Sequence, residues 1–426
     1  MSAAFRVVML VHEFPKRSEA FLVDKFLGLL RAGLDVHLVA ERRGAADFEG
    51  YPELRMEPAV RGRLHLWPER ERLPALLSCM LLASVSLLLR SPREALATWR
   101  SVGRHPWAER PGRFAYLARL RALAPDVVHC EFGTLAARRP ELLAHPVWRT
   151  VVSYRGWDVN YDALDRPERI AAVFAAADAF HFLGRDLHVR ALRRGLRENA
   201  TVALIPPAVD PLRFVAAPRP RSSGDNVLRI VAVGRLHWKK GYEHALRALR
   251  RVAQVGVHFD YRVIGEGPFA TAVETCVRDL DLDDSVTLVG PLDRDGVARE
   301  LAQADLMLHA AVSEGFCNAV IEAQAMGVPV VCSDADGLAE NVAHEETGLV
   351  VARRDVKAMA DAILALALDP ERRAEMSARG AARVREQFAP ASQIAAFIAL
   401  YEATQASAGP GEDRRESRAS TRCTTD

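Results

Sequence analysis

Short apolar runs alternate with amphipathic stretches along most of the chain. Residues 5–12, FRVVMLVH, are continuously apolar and rich in β-branched side chains, which predicts a strand buried on both faces of a parallel sheet. The polar loop HEFPKRSEAF follows, with Ser18 placed to cap a helix and Glu19 to complement its dipole. DVHLVAE at 35–41 supplies a second strand, so the chain opens as a βαβ unit, a fold that binds ligands at the carboxyl ends of its strands. Further strands are predicted within 126–132, 149–158, 178–184 and 201–210, then at 228–233, within 259–269, and at 285–290, 304–311, 328–334 and 348–352. Helical stretches lie between them, and the alternation predicts an α/β protein of two doubly wound, Rossmann-like domains facing across a cleft. Pro206, Pro207, Pro211 and the polar stretch 215–226 mark the boundary. The domains are therefore read as 1–210 and 226–389, with an apolar-striped helix at 390–404 docking back on the first. The small, polar and charged tail at 405–426 is expected to be disordered.

Composition narrows the function classes. With 426 residues, half of them hydrophobic, the chain has room for two domains with separate cores. A net charge of +2 from 57 basic and 55 acidic residues gives no bulk attraction to nucleic acid, so anion affinity has to come from local sites. Cys79, Cys130, Cys276, Cys317, Cys332 and Cys423 show no zinc-ligand spacing and read as a reduced, cytoplasmic protein without a metal centre. The first apolar run is short and suits a buried strand better than a signal peptide. Residues 73–89 carry no charge but are short for a membrane span. This segment reads either as a helix packed in the domain or as one dipping into the membrane surface. In the second case Arg61, Arg63, Arg70, Arg72, Arg90, Arg93, Arg100 and Arg104 would lie against anionic headgroups.

The richest stretch chemically is 313–331, SEGFCNAVIEAQAMGVPVV. Helix formers after Gly315, stopped by Gly327 and Pro329, place Glu314 at a helix mouth and Glu322 within the helix. If the whole interval were helical, the two carboxylates would be separated by roughly 12 Å of axial rise. A helix N-terminus there would offer backbone amides to a diphosphate. This Glu, seven residues, Glu pattern resembles the signature of family-four retaining glycosyltransferases of the GT-B fold. Gly234, Arg235, Leu236, Lys240 and Gly241 match that family's Gly-Arg-Leu-x-x-x-Lys-Gly loop, and FPKRSEAF resembles a loop of its exopolysaccharide (colanic acid type) branch. Where the family usually carries His-x-His and Phe-His-Gly-x-Asp, this chain keeps His129, Gly156 and Asp158 but has Glu131 and Arg155 in place of two histidines.

The resemblance implies transfer of a hexosyl group, with retention, from a nucleotide diphosphate sugar to a sugar acceptor, for which a lipid-linked oligosaccharide of surface polysaccharide synthesis is expected. Arg235 and Lys240 would stabilise the departing diphosphate, Glu314 would orient the donor sugar, and His129 or Glu131 would support the reacting centre. Gly234, Gly265, Gly267, Gly315, Phe316, Cys317, Asn318 and Glu322 are the remaining donor-side candidates. His12, Lys16, Ser18, Glu131, Arg155 and Asp158 are the acceptor-side candidates. No cofactor and no metal are expected. Two alternatives are a nucleotide-sugar epimerase of the same fold and a non-catalytic nucleotide-sugar-binding protein. The expected location is the cytoplasm, with peripheral contact at the inner face of the membrane.

Overall fold

The computed structural model describes residues 5–406 except 17–18, 45–49, 68–72, 104, 144, 146 and 217–226. Ser18, most of the predicted connection at 215–226 and nearly all of the tail lie outside the described residues. The first sheet is built from β1 (Arg6–Phe14), β2 (Asp35–Arg43), β3 (Leu64–Leu66), β4 (Val127–Cys130), β5 (Arg149–Tyr154), β6 (Ala179–Phe182) and β7 (Thr201–Leu204), in the order β3-β2-β1-β4-β5-β6-β7. The second comprises β8 (Leu228–Val233), β9 (Phe259–Ile264), β10 (Val286–Gly290), β11 (Leu306–His309), β12 (Val330–Ser333) and β13 (Gly348–Val351), in the order β10-β9-β8-β11-β12-β13. Pairing is parallel from β3 to β6 and throughout the second sheet. Both orders reverse direction beside the first strand, between β1 and β4 and between β8 and β11. Doubly wound folds bind ligands at this switch point, outside the carboxyl ends of the strands.

β1 shows why the apolar run does not alternate. Val7, Val8, Met9, Leu10 and Val11 are all completely buried, so neither face of the strand tolerates a polar side chain. In the second sheet the helix Tyr242–Gln254 buries Tyr242, Ala245, Leu246, Ala248, Leu249 and Val252, one stripe of the helical period, within the core that includes Ile230, Tyr261 and Leu308. The predicted strand at 201–210 is only four residues long, because Pro206 and Pro207 cannot donate to a ladder. β3 was not predicted: its three residues, Leu-His-Leu, are too short for a periodic signal.

The chain divides into two compact units, residues 1–182, 191–203 and 394–426 in one, and 183–190 and 204–393 in the other. The boundary thus falls near 204 rather than beyond 210. Val209 donates its amide to Phe388, Gln393 donates to the Pro206 carbonyl, and the Glu340 carboxylate takes the amides of Arg185 and Asp186, all within the second unit. In the first unit, the helix Pro390–Ala406 brings Phe397 and Tyr401 against His129, with ring centroids 5.9 and 5.6 Å away. Its Ile394 packs where a side chain on Gly28 would stand, 2.6 Å from a Cβ built there.

Residues 73–89 fall in the helix Leu73–Arg90, which the helices Pro92–Ser101 and Arg110–Ala122 accompany in the first unit. Leu77, Leu81, Leu82, Val85, Leu88 and Leu89 are exposed on it. Among the described residues no helix is long and apolar enough to cross a membrane.

Candidate functional site

At the switch point of the second sheet, the chain leaves β8 through Gly234 and Arg235 and returns along β9 into Gly265, Glu266 and Gly267. The two loops are laced together by backbone bonds: Gly234 donates to Ile264 at 2.9 Å, Leu236 to Glu266 at 2.9 Å and Phe269 to Leu236 at 3.1 Å. Gly265 has φ +140°, and a Cβ there would stand 2.1 Å from the Gly234 carbonyl oxygen, so only glycine permits this approach. A single turn, Trp238–Lys240, then ends at Gly241, and Val312 donates to the Lys239 carbonyl at 2.8 Å. That bond ties the loop after β8 to the loop after β11, where Glu314 lies.

Lys240 Nζ donates to Glu314 Oε2 as a close ion pair, and both side chains are nearly buried. Burial alone would push the Glu314 carboxyl up, but Lys240, His309 and Lys239 hold it well below the usual carboxylate range. Burial likewise opposes the charge on Lys240, yet Glu314 keeps its ammonium above the ordinary lysine value. Arg235 is exposed, and among the described residues it makes no hydrogen bond or ion pair. The second sheet thus presents one neutralised buried pair and one uncommitted guanidinium at the same strand end. This is a setting for a polyanion bearing hydroxyls.

The helix after Glu314 begins only at Asn318 and runs to Ala325. Glu314, Gly315, Phe316 and Cys317 are therefore not helical, and the axial spacing drawn from an unbroken helix does not apply. Glu322, half-buried, lies on the helix as expected. The amide of Cys317 differs from expectation. It donates to Asn341 Oδ1 at 3.3 Å, while Asn341 Nδ2 returns a bond to the Cys317 carbonyl at 3.0 Å, so this amide is already committed. Asn341 is completely buried and its own carbonyl accepts from Gln324 at 2.8 Å, which pins the start of the helix. Phe316 packs against Phe388. Beneath the pair, His309 and Cys317 approach Glu314, and one ligand atom from each of the three lies within 4.8 Å of the others. Burial would raise the Cys317 thiol, but His309 and Lys240 draw it below its ordinary value.

In the first sheet the residues at the ends of β4 and β5 form a different kind of cluster. Glu131 is completely buried and bonded by Lys25 Nζ at 2.5 Å and by Arg155 Nη2 at 2.6 Å. Burial would raise its carboxyl, but His129, Lys25 and Arg155 hold it far below the usual range. Lys25 pays the counterpart: burial, against the pull of Glu131, brings its ammonium down to about 8. His129 is also completely buried, with Nε2 at 2.7 Å from Ser153 Oγ and Nδ1 at 2.8 Å from Tyr401 OH. It therefore orders the cluster and has no surface at which to meet a sugar, contrary to the catalytic role assigned from sequence. Asp158, a predicted acceptor-side residue, is equally committed: its carboxylate takes the amides of Gly133, Arg155, Gly156 and Val159 at 3.0 to 3.1 Å. Arg155 occupies the place of a family histidine, and besides Glu131 its guanidinium covers the Phe21 ring at 4.2 Å.

Two acceptor-side candidates stay accessible at the end of β1 and in the loop beyond it. His12 sits between Glu41 and Thr134, 3.2 Å from each, and Lys16 pairs with Glu19 at 2.7 Å. Sequence reasoning missed Lys25, His309, Tyr401 and Asn341. Lys25 stands inside an ordinary amphipathic helix, and nothing in its neighbours signals that it is buried against a carboxylate 106 residues away.

Comparison with known proteins adds a family likeness over part of the chain. Residues 218–383 match the family described as Glycosyl transferases group 1. The chain is 26% identical over 392 residues to the putative colanic acid biosynthesis glycosyltransferase WcaL of Escherichia coli K12, covering 88% of this chain and 94% of that one. It is 37% identical over 145 residues to the amylovoran biosynthesis glycosyltransferase AmsK of Erwinia amylovora, there spanning only 36% of the relative's length. Among solved structures it resembles the sucrose-phosphate synthase of Thermosynechococcus elongatus, with a TM-score of 0.71 at 20% identity over 95% of this chain and all of that one. It also resembles Anabaena HepE in complex with UDP, with a TM-score of 0.67 at 14% identity over 94% of this chain and all of that one. The fold is GT-B, and the chain is homologous to the colanic acid and amylovoran enzymes.

Proposed function

We propose, with the group 1 glycosyltransferase domain at residues 218–383 as the premise, that this chain transfers a hexosyl group from a nucleotide diphosphate sugar to a lipid-linked sugar acceptor in surface polysaccharide synthesis, with retention at the anomeric carbon. The observation that carries the donor assignment is the buried Lys240 and Glu314 pair beside an exposed Arg235, unpaired among the described residues, at the switch point of the second sheet. The bond from the anomeric carbon to the diphosphate oxygen breaks, leaving positive character on the sugar and negative charge on the phosphate. Arg235 and Lys240 meet that growing negative charge, an interaction stronger in the transition state than in the ground state. The acceptor oxygen bonds to the same face of the carbon, and its proton passes to the departing phosphate oxygen, so no protein nucleophile is needed. Glu314, held ionised by Lys240, accepts hydrogen bonds from the donor sugar's hydroxyls, and Glu322 holds the nucleoside. Because two cations of the chain neutralise the leaving group, turnover is expected to persist in chelator. His12 and Lys16 are the acceptor-side groups, with the buried Glu131 and Arg155 pair fixing the loops around them.

Membrane contact at the cytoplasmic face is supported by the first unit. An open cavity of about 600 Å³ is lined by Leu81 and Leu88 of the helix Leu73–Arg90, Leu96 and Trp99 of Pro92–Ser101, and Phe114. Arg93 and Arg100 are exposed three and four residues to either side of Leu96, and so share its face of the helix. An apolar floor with cations on one rim suits the surface of an anionic bilayer.

A thermal-shift screen against UDP, GDP, dTDP and ADP sugars, with Arg235→Ala and Glu322→Ala alongside, tests the donor reading. A ligand at a hundred times its dissociation constant stabilises by roughly 2.7 kcal/mol. A shift with one nucleotide, lost in both variants, is expected; no shift with any of them in folded protein overturns the assignment.

A further inference from the structure

His309, Glu314 and Cys317 present an imidazole, a carboxylate and a thiol to one another, from the end of β11 and the loop before the helix Asn318–Ala325. All three are nearly buried, and His309 Nε2 has no hydrogen-bond partner among the described residues although it lies 3.8 Å from Glu314 Oε2. A nitrogen left unpartnered in the interior is costly, and here it is turned toward a carboxylate oxygen and a sulfur. One ligand atom from each residue lies within 4.8 Å of the other two. Tetrahedral zinc, with bonds of about 2.0–2.3 Å, sets its ligands roughly 3.3–3.8 Å apart, so side-chain rotation of about an ångström closes the set.

We propose that His309, Glu314 and Cys317 form a three-ligand site for a soft divalent cation of the zinc class, a site that competes with Lys240 for Glu314. Sulfur, imidazole nitrogen and one carboxylate oxygen are the donor types zinc prefers over calcium or magnesium, which take oxygen alone. Three protein ligands leave the fourth position open to water, and the thiol releases its proton to solvent as the metal binds. Lys240 sets the affinity: its ammonium already holds Glu314 Oε2, and it repels a second cation beside it. The site is therefore an inhibitory one, weaker than a structural zinc centre. Occupation draws away the carboxylate that the donor-site reading assigns to the sugar. That consequence rests on the donor reading, whereas metal binding itself does not.

Cobalt(II) titration of the full chain, followed by equilibrium dialysis with zinc, tests the site without any assay of activity. Thiolate-to-cobalt charge-transfer absorption at one equivalent is expected in the parent protein and in Cys276→Ala, and not in Cys317→Ala. His309→Gln is expected to weaken zinc at least tenfold, and Lys240→Met to tighten it several-fold by freeing Glu314. Charge transfer that survives in Cys317→Ala, its absence from the folded parent protein, or weaker zinc binding in Lys240→Met overturns the proposal. Cooperative unfolding of each variant, followed by circular dichroism, separates lost ligands from lost fold. A nucleotide-sugar screen that fails while cobalt binds would leave the metal site standing and remove only its inhibitory meaning.

Discussion

Replacing Lys240 by methionine removes the ammonium from Glu314 while keeping most of the side chain's length. The pair is nearly out of solvent, with side-chain exposures of 12% and 10%, so the carboxylate left behind cannot recover its hydration. Removing one partner of a buried pair costs about 3–5 kcal/mol. Here the low end applies, because Glu314 keeps His309 at 3.8 Å and Lys239 close by. A loss of about 3 kcal/mol in a unit of this size corresponds to a fall in Tm of roughly 6–12 °C. The double variant Lys240→Met with Glu314→Gln removes both charges and is expected to recover at least about half of that loss, since the stranded charge is gone. Donor turnover is expected to stay low in Lys240→Met, in Glu314→Gln and in the double variant. Urea unfolding of the parent, the two single variants and the double variant measures the coupling directly. Additive single losses, or an unchanged midpoint in Lys240→Met, would refute the idea that a buried ion pair organises the donor site.

Three further outcomes follow from other parts of the molecule. Gly265→Ala forces a Cβ to 2.1 Å from the Gly234 oxygen and is expected to abolish the nucleotide-induced thermal shift while the fold, followed by circular dichroism, survives. His145, stacked on Trp148 at 3.6 Å, has its imidazole lowered to about 3 by burial and by Arg121. A folded value below the unfolded 6.5 contributes stability that is full above that value and is lost as pH falls toward 3. The unfolding free energy from urea titration should therefore drop between pH 6.5 and 4 by up to roughly 1.4 kcal/mol per pH unit from this group, and His145→Gln should flatten the slope. Leu81→Asp with Leu88→Asp is expected to abolish sedimentation with phosphatidylglycerol vesicles and leave the nucleotide thermal shift intact. Equal sedimentation of parent and variant would remove the membrane reading.

Local sequence determined much of this protein because its central strands, β1 and β11 among them, are buried on both faces over most of their length, and such strands announce themselves as apolar runs. β1 and β11 were legible for that reason, whereas Arg235, Lys240 and Glu314 came into view through the resemblance of their loops to a known family's motifs. Gly327, with φ +69°, ended the helix Asn318–Ala325 where its sequence position required. Tertiary structure decided which of the polar residues at those ends keep a surface. His129 and Asp158 look like reactive groups in the chain, yet both are buried and saturated: Tyr401, 272 residues away, bonds His129, while Asp158 takes three amides of its own turn and a fourth from Gly133 at the start of the next helix back. The same long-range packing set Lys25 against Glu131 and committed the Cys317 amide to Asn341. Burial and hydrogen-bond saturation are properties of contacts between remote segments, and a single sequence carries no period or spacing that reports them.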